Sequence, residues 1–264
     1  MKNLNTNIKR VFVSIETVFM VLMLCINSSC NSENAPDCLQ TAGDLVREEI
    51  VLPEFTKITV FEKVALVLSE GDTQKVELET GENLREEVSL AVEGDRLILR
   101  NANGCNLFRE YGLTTVYVTS PNITEIRSST GLPIKSDGVL AYPSLTLLSE
   151  SFVVPEAETT DGEFNLDLNT GSLNIVVNGI AYFNLRGATQ NLNMNIAAGD
   201  SRIEARELLA QTVSINHRGS NDMLVNPQES ISGTIRGNGD VISFNRPENV
   251  DVQEIFNGRL IFRD

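Results

Sequence analysis

The chain has 264 residues, 41% of them hydrophobic; with no tryptophan and only 6% aromatic residues, any core must be mostly aliphatic. That length allows one large domain or two small ones. A formal net charge of −15 disfavours nucleic acid and anionic lipid surfaces as partners.

The first thirty residues read as an address. Lys2, Lys9 and Arg10 precede the apolar run "VFMVLMLCI" (18–26), and small polar residues follow, ending in "NSSC". This is the order of a secretory signal. A membrane-spanning helix needs about twenty apolar residues, and Glu16 interrupts the longer run. The "NSSC" stretch resembles the lipobox of bacterial lipoproteins, with Ser28 and Ser29 ahead of Cys30 as the lipid-bearing residue; Asn27 stands where that pattern prefers Leu or Val. Residues 1–29 are therefore expected to be a lipoprotein signal peptide, 30–52 a polar tether and 53–264 the folded domain. Cys38 and Cys105 are then the remaining cysteines. In an oxidising compartment they read as a disulfide, with two free thiols as the alternative.

Within residues 53–120, "FTKITV", "VALVLSEG", "QKVELETG", "VSLAVEGDRLILR" and "TTVYVTSP" alternate apolar and polar residues and predict five or six strands. The "EGD" between two such runs predicts a hairpin, and "ENLREEV" is the only short helical candidate. Residues 121–264 carry a repeat. Weaker rungs, "ITEIRSSTG", "LTLLSESF" and "FNLDLNTG", lead into glycines at 179, 199, 219 and 239, twenty residues apart, each between alternating stretches. A fixed period of this length predicts a solenoid, here an all-β, right-handed parallel β-helix with rungs of about twenty residues and a smaller strand region before it. Gly179, Gly199, Gly219 and Gly239 are expected at its corners, where glycine permits positive φ. Overlaying the rungs stacks Phe183, Ile203 and Met223 inward, with Leu185, Ala205 and Val225 two places on. Ser243 breaks the column, so a register shift is expected in the last rung. Leu192, Met194 and Ile196 fall one place out of the overlay, and Ala197–Ala198 are expected to absorb the slip as a bulge.

These segments, in this order, resemble the head GIN domain family of bacterial envelope proteins, described as auto-transporter adhesins. The resemblance runs from "FTKITV" through "VEGDRLILRN" and "VYVTSPNITEIRSSTG" to "GNGDVISFNRP", about residues 55–262. It implies a right-handed parallel β-helix, commonly on lipoproteins, without an established activity. The corners "NHRGSN" and "VNGIAY" depart from the small Gly/Ser-rich corners of that family.

Parallel β-helices also host polysaccharide lyases and hydrolases, so the corners are the place to look for chemistry. Asp200 and Asp240 share a column in the twenty-residue overlay, two rungs or about 9.6 Å apart. This is far beyond a retaining carboxylate pair and marginally beyond the wide limit for an inverting one. Arg186, Arg206 and Arg246 form a second expected column, able to bind an anionic glycan or to pair with neighbouring acids. His217 alternates with Val213 and Ile215 on the apolar face and reads as a structural histidine. No cofactor or metal motif is present. The expected function is a lipid-anchored envelope protein whose solenoid is a non-catalytic binding, scaffolding or adhesion surface for an envelope protein or a glycan. A carbohydrate-active β-helix enzyme is the alternative.

Overall fold

The computed structural model describes residues 40–104, 112–152 and 159–263. Cys30, Cys38 and Cys105, and with them the expected lipid site and disulfide, lie outside the described residues. The chain runs through β1 (Leu45–Glu49), β2 (Lys57–Val60), β3 (Ala65–Glu70), β4 (Lys75–Gly81), β5 (Val88–Glu93), β6 (Arg96–Asn101) and β7 (Thr115–Ser120). It continues through β8 (Glu125–Ser128), β9 (Pro133–Leu140) and β10 (Ser144–Ser149). Four long strands follow, β11 (Glu163–Val177), β12 (Tyr182–Ile196), β13 (Arg202–His217) and β14 (Met223–Ile235), and then β15 (Val241–Ser243), β16 (Asn249–Glu254) and β17 (Leu260–Phe262). The "ENLREEV" segment forms a 3₁₀ turn over Glu82–Glu87.

From β6 onward the chain steps alternately between two ladders. The first joins β5, β6, β2, β8 and β10, then the C-terminal halves of β11–β14, then β16. The second joins β1, β4, β7, β3 and β9, then the N-terminal halves of β11–β14, then β15 and β17. The long strands belong to both, so one continuous sheet folds over on itself around an aliphatic core. Pairing is parallel except at β1–β4, β4–β7 and β5–β6. The sheet is therefore mixed, which corrects the expectation of a uniformly parallel helix. Two further corrections follow from the pairings. The strands of residues 53–120 are not a separate region, because β2 lies between β6 and β8 and β3 between β7 and β9. Nor does the tether extend to residue 52. Leu45–Glu49 pairs with β4, and Asn83 both donates to the Thr41 carbonyl and accepts from the Gln40 amide.

Alternation explains the strands. In β11, Phe164, Leu166 and Leu168 point inward, then the phase changes at Thr170–Gly171 before Leu173, Ile175 and Val177 resume. That change is the bend between the ladders. It is marked by buried Thr170 and Thr189, whose hydroxyls meet at 3.0 Å. Phe183, Ile203 and Met223 are fully buried as expected, and Phe164 stacks on Phe183 with centroids 4.7 Å apart. Met223 pairs with Val241, so the last rung shifts as expected and Ser243 sits beside Val225.

The repeat does not hold at twenty from rung to rung. Leu173 pairs with Leu192, 19 residues on, and Leu192 with Val213, 21 residues on. The slip is absorbed in two places. The corner from Ala197 to Ser201 is one residue longer than that from Asn178 to Ala181, and β13 bulges between Glu204 and Glu207. The corner glycines are also needed for a different reason than expected: of the four, only Gly199 has positive φ, +95°. What demands glycine is the rung beneath. A Cβ on Gly179 would lie 2.1 Å from the Thr160 carbonyl oxygen, and one on Gly199 2.1 Å from that of Gly179. The column continues through Gly219 to Gly237, not Gly239, because the final rung is shortened.

Two outcomes test this packing. Phe183→Ala should lower unfolding free energy by about 2–5 kcal/mol in a denaturant titration, whereas outward-facing Asn184→Ala should change it by only about 0.5 kcal/mol. Equal losses would reverse the strand phase. Gly237→Ala should cost on the order of 1–3 kcal/mol, although its φ suits alanine, because the added methyl meets the Gly219 carbonyl oxygen at 2.1 Å. An unchanged melting temperature would refute that close approach.

Candidate functional site

The folded-over sheet offers two outward faces and the corners between them. At the glycine corner, Asp200 and Ser220 are adjacent rung to rung: the Ser220 hydroxyl donates to Asp200 Oδ1 at 2.7 Å, and each residue's N–H donates to the glycine carbonyl one rung below. Asn238 continues this column. Asp240 does not. Its N–H donates to Asp222 Oδ1 at 2.9 Å, and its own Oδ1 accepts from the Arg259 N–H at 2.8 Å. Asp200 and Asp240 are thus in different columns, which corrects the overlay, and both carboxylates stitch one rung to the next.

The arginine column is broken as well. Arg186 lies beside Glu207, not Arg206, because of the β13 bulge. Its Nε donates to Asp167 at 2.8 Å. Arg206 turns to Glu204 at 2.7 Å and over the Phe244 ring at 5.1 Å, while Arg246 covers Phe262 at 4.6 Å. Glu204 also receives Arg202. Burial raises its pKa, but the two guanidinium hydrogen bonds outweigh burial and hold the carboxyl below its usual range. Around the bulge Tyr182, Asn184, Leu185, Glu204, Arg206 and Glu207 line a shallow depression. This face, carried by the second ladder, is densely charged.

The first ladder's face is the opposite. In β10–β14 the positions in outward phase are Ser144, Thr146 and Leu148; Ser172, Asn174 and Val176; Asn191, Asn193 and Asn195; Thr212, Ser214 and Asn216; and Ser230, Ser232 and Thr234, of which Leu148 is buried and the rest reach the surface. None carries a charge, and all but Leu148 and Val176 are Asn, Ser or Thr. Charge returns only at the borders, at Glu125 and Arg127 in β8 and Asp251 in β16. The amides are ordered along the columns: Asn193 Nδ2 donates to Asn174 Oδ1 at 3.0 Å and Asn216 Nδ2 to Asn195 Oδ1 at 2.9 Å. The Thr212 hydroxyl donates to Asn191 Oδ1 at 2.9 Å. A shallow furrow of ≈ 230 Å³ runs among Asn174, Val176, Asn193, Asn195, Ser214 and Asn216. Inspection of the corners in sequence misses this field. Its signal was present in the polar members of "SLNIVV", "NLNMNI", "TVSIN" and "SISGTI", which are uncharged in every case.

His217 ends this ladder's part of β13, fully buried. Its Nδ1 accepts a long bond from the Gly219 N–H at 3.4 Å, and Nε2 has no partner among the described residues. Burial lowers its pKa, opposed by backbone contacts at Asn221 and Gly239 and by the charges of Asp222 and Asp240. No cluster of three or more His, Cys, Asp or Glu side chains placed to hold a metal occurs among the described residues. No helix among them is long and apolar enough to cross a membrane.

This architecture belongs to a class of all-β envelope-associated domains. Residues 54–247 match the family described as "Putative auto-transporter adhesin, head GIN domain", and the chain belongs to that family. A solved Bacteroides fragilis protein titled a putative adhesin shares the fold, with a TM-score of 0.74, 19% identity and coverage of 84% of this chain and 99% of that one. A putative lipid binding protein from Parabacteroides distasonis follows with a TM-score of 0.60, 15% identity and coverage of 84% and 98%. A second P. distasonis protein, a putative adhesin, gives 0.54, 14%, 84% and 99%. No curated protein matches the chain.

The histidine supplies a pH test. A neutral His217 with a lowered folded pKa binds fewer protons than the unfolded chain, whose value is near 6.5. Stability should therefore be full above that pH and fall as the pH drops below it toward the folded pKa. Melting temperatures from pH 8 to 5 should show this decline, and His217→Met should flatten it. An identical slope in the variant would assign the pH dependence to other groups.

Proposed function

We propose that the protein is a lipid-anchored, non-catalytic binding module of the bacterial cell envelope, held at the outer membrane through Cys30. Its coil acts as a rigid adhesion or scaffolding surface for an envelope protein or glycan. The family description and the envelope-directed leader support this reading. The observation that carries it is the employment of the corner carboxylates. Asp200 holds the Ser220 hydroxyl and Asp240 holds the Arg259 N–H, so the acids a hydrolase would aim at a bond are structural ties between rungs. General acid–base catalysis needs such groups free and within reach of one substrate atom. The parallel pairing of successive rungs further supports a right-handed coil, since parallel strands joined by crossovers take that hand in nearly all proteins.

Two measurements on the full-length chain test the reading. Grown with labelled palmitate in a Gram-negative host, the protein should take up label, and Cys30→Ser should be unlabelled and soluble. Continued labelling of the variant would remove the anchor. Incubated with neutral and acidic polysaccharides, the protein should leave their chain lengths unchanged. Depolymerisation that disappears in Asp200→Asn or Asp240→Asn would make it an enzyme.

A further inference from the structure

We infer that the uncharged face of β10–β14 is a binding site for a neutral polysaccharide, laid across the rungs along the Asn174–Asn193–Ser214–Ser232 column. The inference rests on the binding-module reading and gives it a place and a ligand class.

The first ground is charge. In a chain with a net charge of −15 and 22% charged residues, fourteen surface positions on five adjacent strands carry no charge, while the opposite face carries Glu163, Asp167, Arg186, Arg202, Glu204 and Glu207. A surface serving only solubility has no reason to exclude charge from one field alone. A ligand that is itself uncharged and rich in hydroxyls gains from that exclusion, since it need not desolvate ions it cannot pair.

The second ground is hydrogen-bonding capacity that is ordered but not used up. Each amide offers two N–H donors and a carbonyl with two acceptor sites. The rung-to-rung bonds Asn193→Asn174 and Asn216→Asn195 take one donor and one acceptor site per pair, and Asn216 Oδ1 also accepts from the Thr234 hydroxyl; these bonds do not exhaust the amides' capacity. They also fix the amides' orientation, so part of the side-chain entropy that binding would cost is already lost on folding. The sites then recur at about 4.8 Å along the column and about 6.6 Å along each strand. A polymer with regularly recurring hydroxyls matches such a lattice, and the furrow around Asn193 and Asn195 lies within it.

Other occupants fit less well. A peptide strand would need free backbone groups, and here both neighbours of every strand from β11 to the C-terminal half of β13 are in place. A folded partner or a second copy needs about 800 Å² per side. The neutral field measures only roughly 19 Å by 13 Å between its outermost Cα positions, so such a partner would cover the charged borders at Glu125 and Asp251. Anionic polymers meet no Lys or Arg inside the field. Without aromatic rings each sugar contributes little, so binding is a property of chain length, through many weak sites engaged together.

Affinity electrophoresis of the full-length protein in detergent tests this directly. Gels containing dextran, laminarin, mannan or glycogen are compared with gels containing alginate or heparin. At least one neutral glycan should retard the protein, its monosaccharide should not compete, and neither acidic polymer should retard it. Asn193→Asp/Asn216→Asp should weaken retardation at least tenfold. Ser214→Asp, which disturbs no amide pair, should do the same, and Glu207→Gln on the charged face should not. Melting curves confirm that each variant is folded. Retardation by none of the neutral glycans, or equal retardation of both charged variants and wild type, overturns the inference. If the protein binds glycan and those variants bind equally, the module still binds, but through another face. If it binds no polysaccharide and retains no envelope component, the binding-module reading falls with it.

Discussion

Everything in this fold depends on one rung lying directly on another at backbone hydrogen-bonding distance. That spacing, about 4.8 Å, leaves no room at the corners for a side chain above the carbonyl of the rung below. Gly199 sits over Gly179 and Gly237 over Gly219 for this reason. The same spacing brings like residues into contact along each column. Inside, it stacks Phe164 on Phe183 and joins the hydroxyls of Thr170 and Thr189. Outside, it turns repeated asparagines into amide ladders, so core packing, bends and surface pattern all follow from one vertical repeat.

Stacking also creates a difficulty, because a parallel ladder presents unpaired backbone groups at its edge. At the N-terminal end the chain covers them with antiparallel strands: β5 folds back on β6, β4 on β7, and β1 on β4. The mixed character of the sheet is therefore concentrated where the parallel coil needs a cap. The cost of rungs of unequal length is met differently. The extra residues go into the corner at Ala197–Ser201 and the bulge of β13, and the bulge scatters the arginines that an even repeat would have aligned.

The two outward faces divide the polar work. On one, carboxylates and guanidinium groups neutralise one another in pairs such as Asp167–Arg186, exposed enough to contribute little to stability, and Glu204–Arg206, whose carboxylate is largely buried. On the other, charge is absent and the amides bond along the columns. Solved structures at 14–19% identity share the fold.

Much of this was legible in the sequence. Period-two alternation marked the strands β2–β7 and the "EGD" hairpin, and three of the four evenly spaced glycines, Gly179, Gly199 and Gly219, marked the stacked corners. The inward column of Phe183, Ile203 and Met223 could be read because burial imposes the same apolar choice on every rung. The true register could not, since the step from one rung to the next varies from 17 to 21 residues and local patterns do not reveal where the difference is taken up. Nor could the antiparallel cap or the threading of β2 between β6 and β8, which are long-range pairings without a local signal. The sequence by itself determined strands, corners and the inward phase, because those depend on neighbours along the chain. Only the tertiary structure decided which polar residues stand side by side, separating Asp200 from Asp240 and Arg186 from Arg206 while assembling the uncharged face, because a column is made of residues some twenty apart whose alignment is set by hydrogen bonds between rungs.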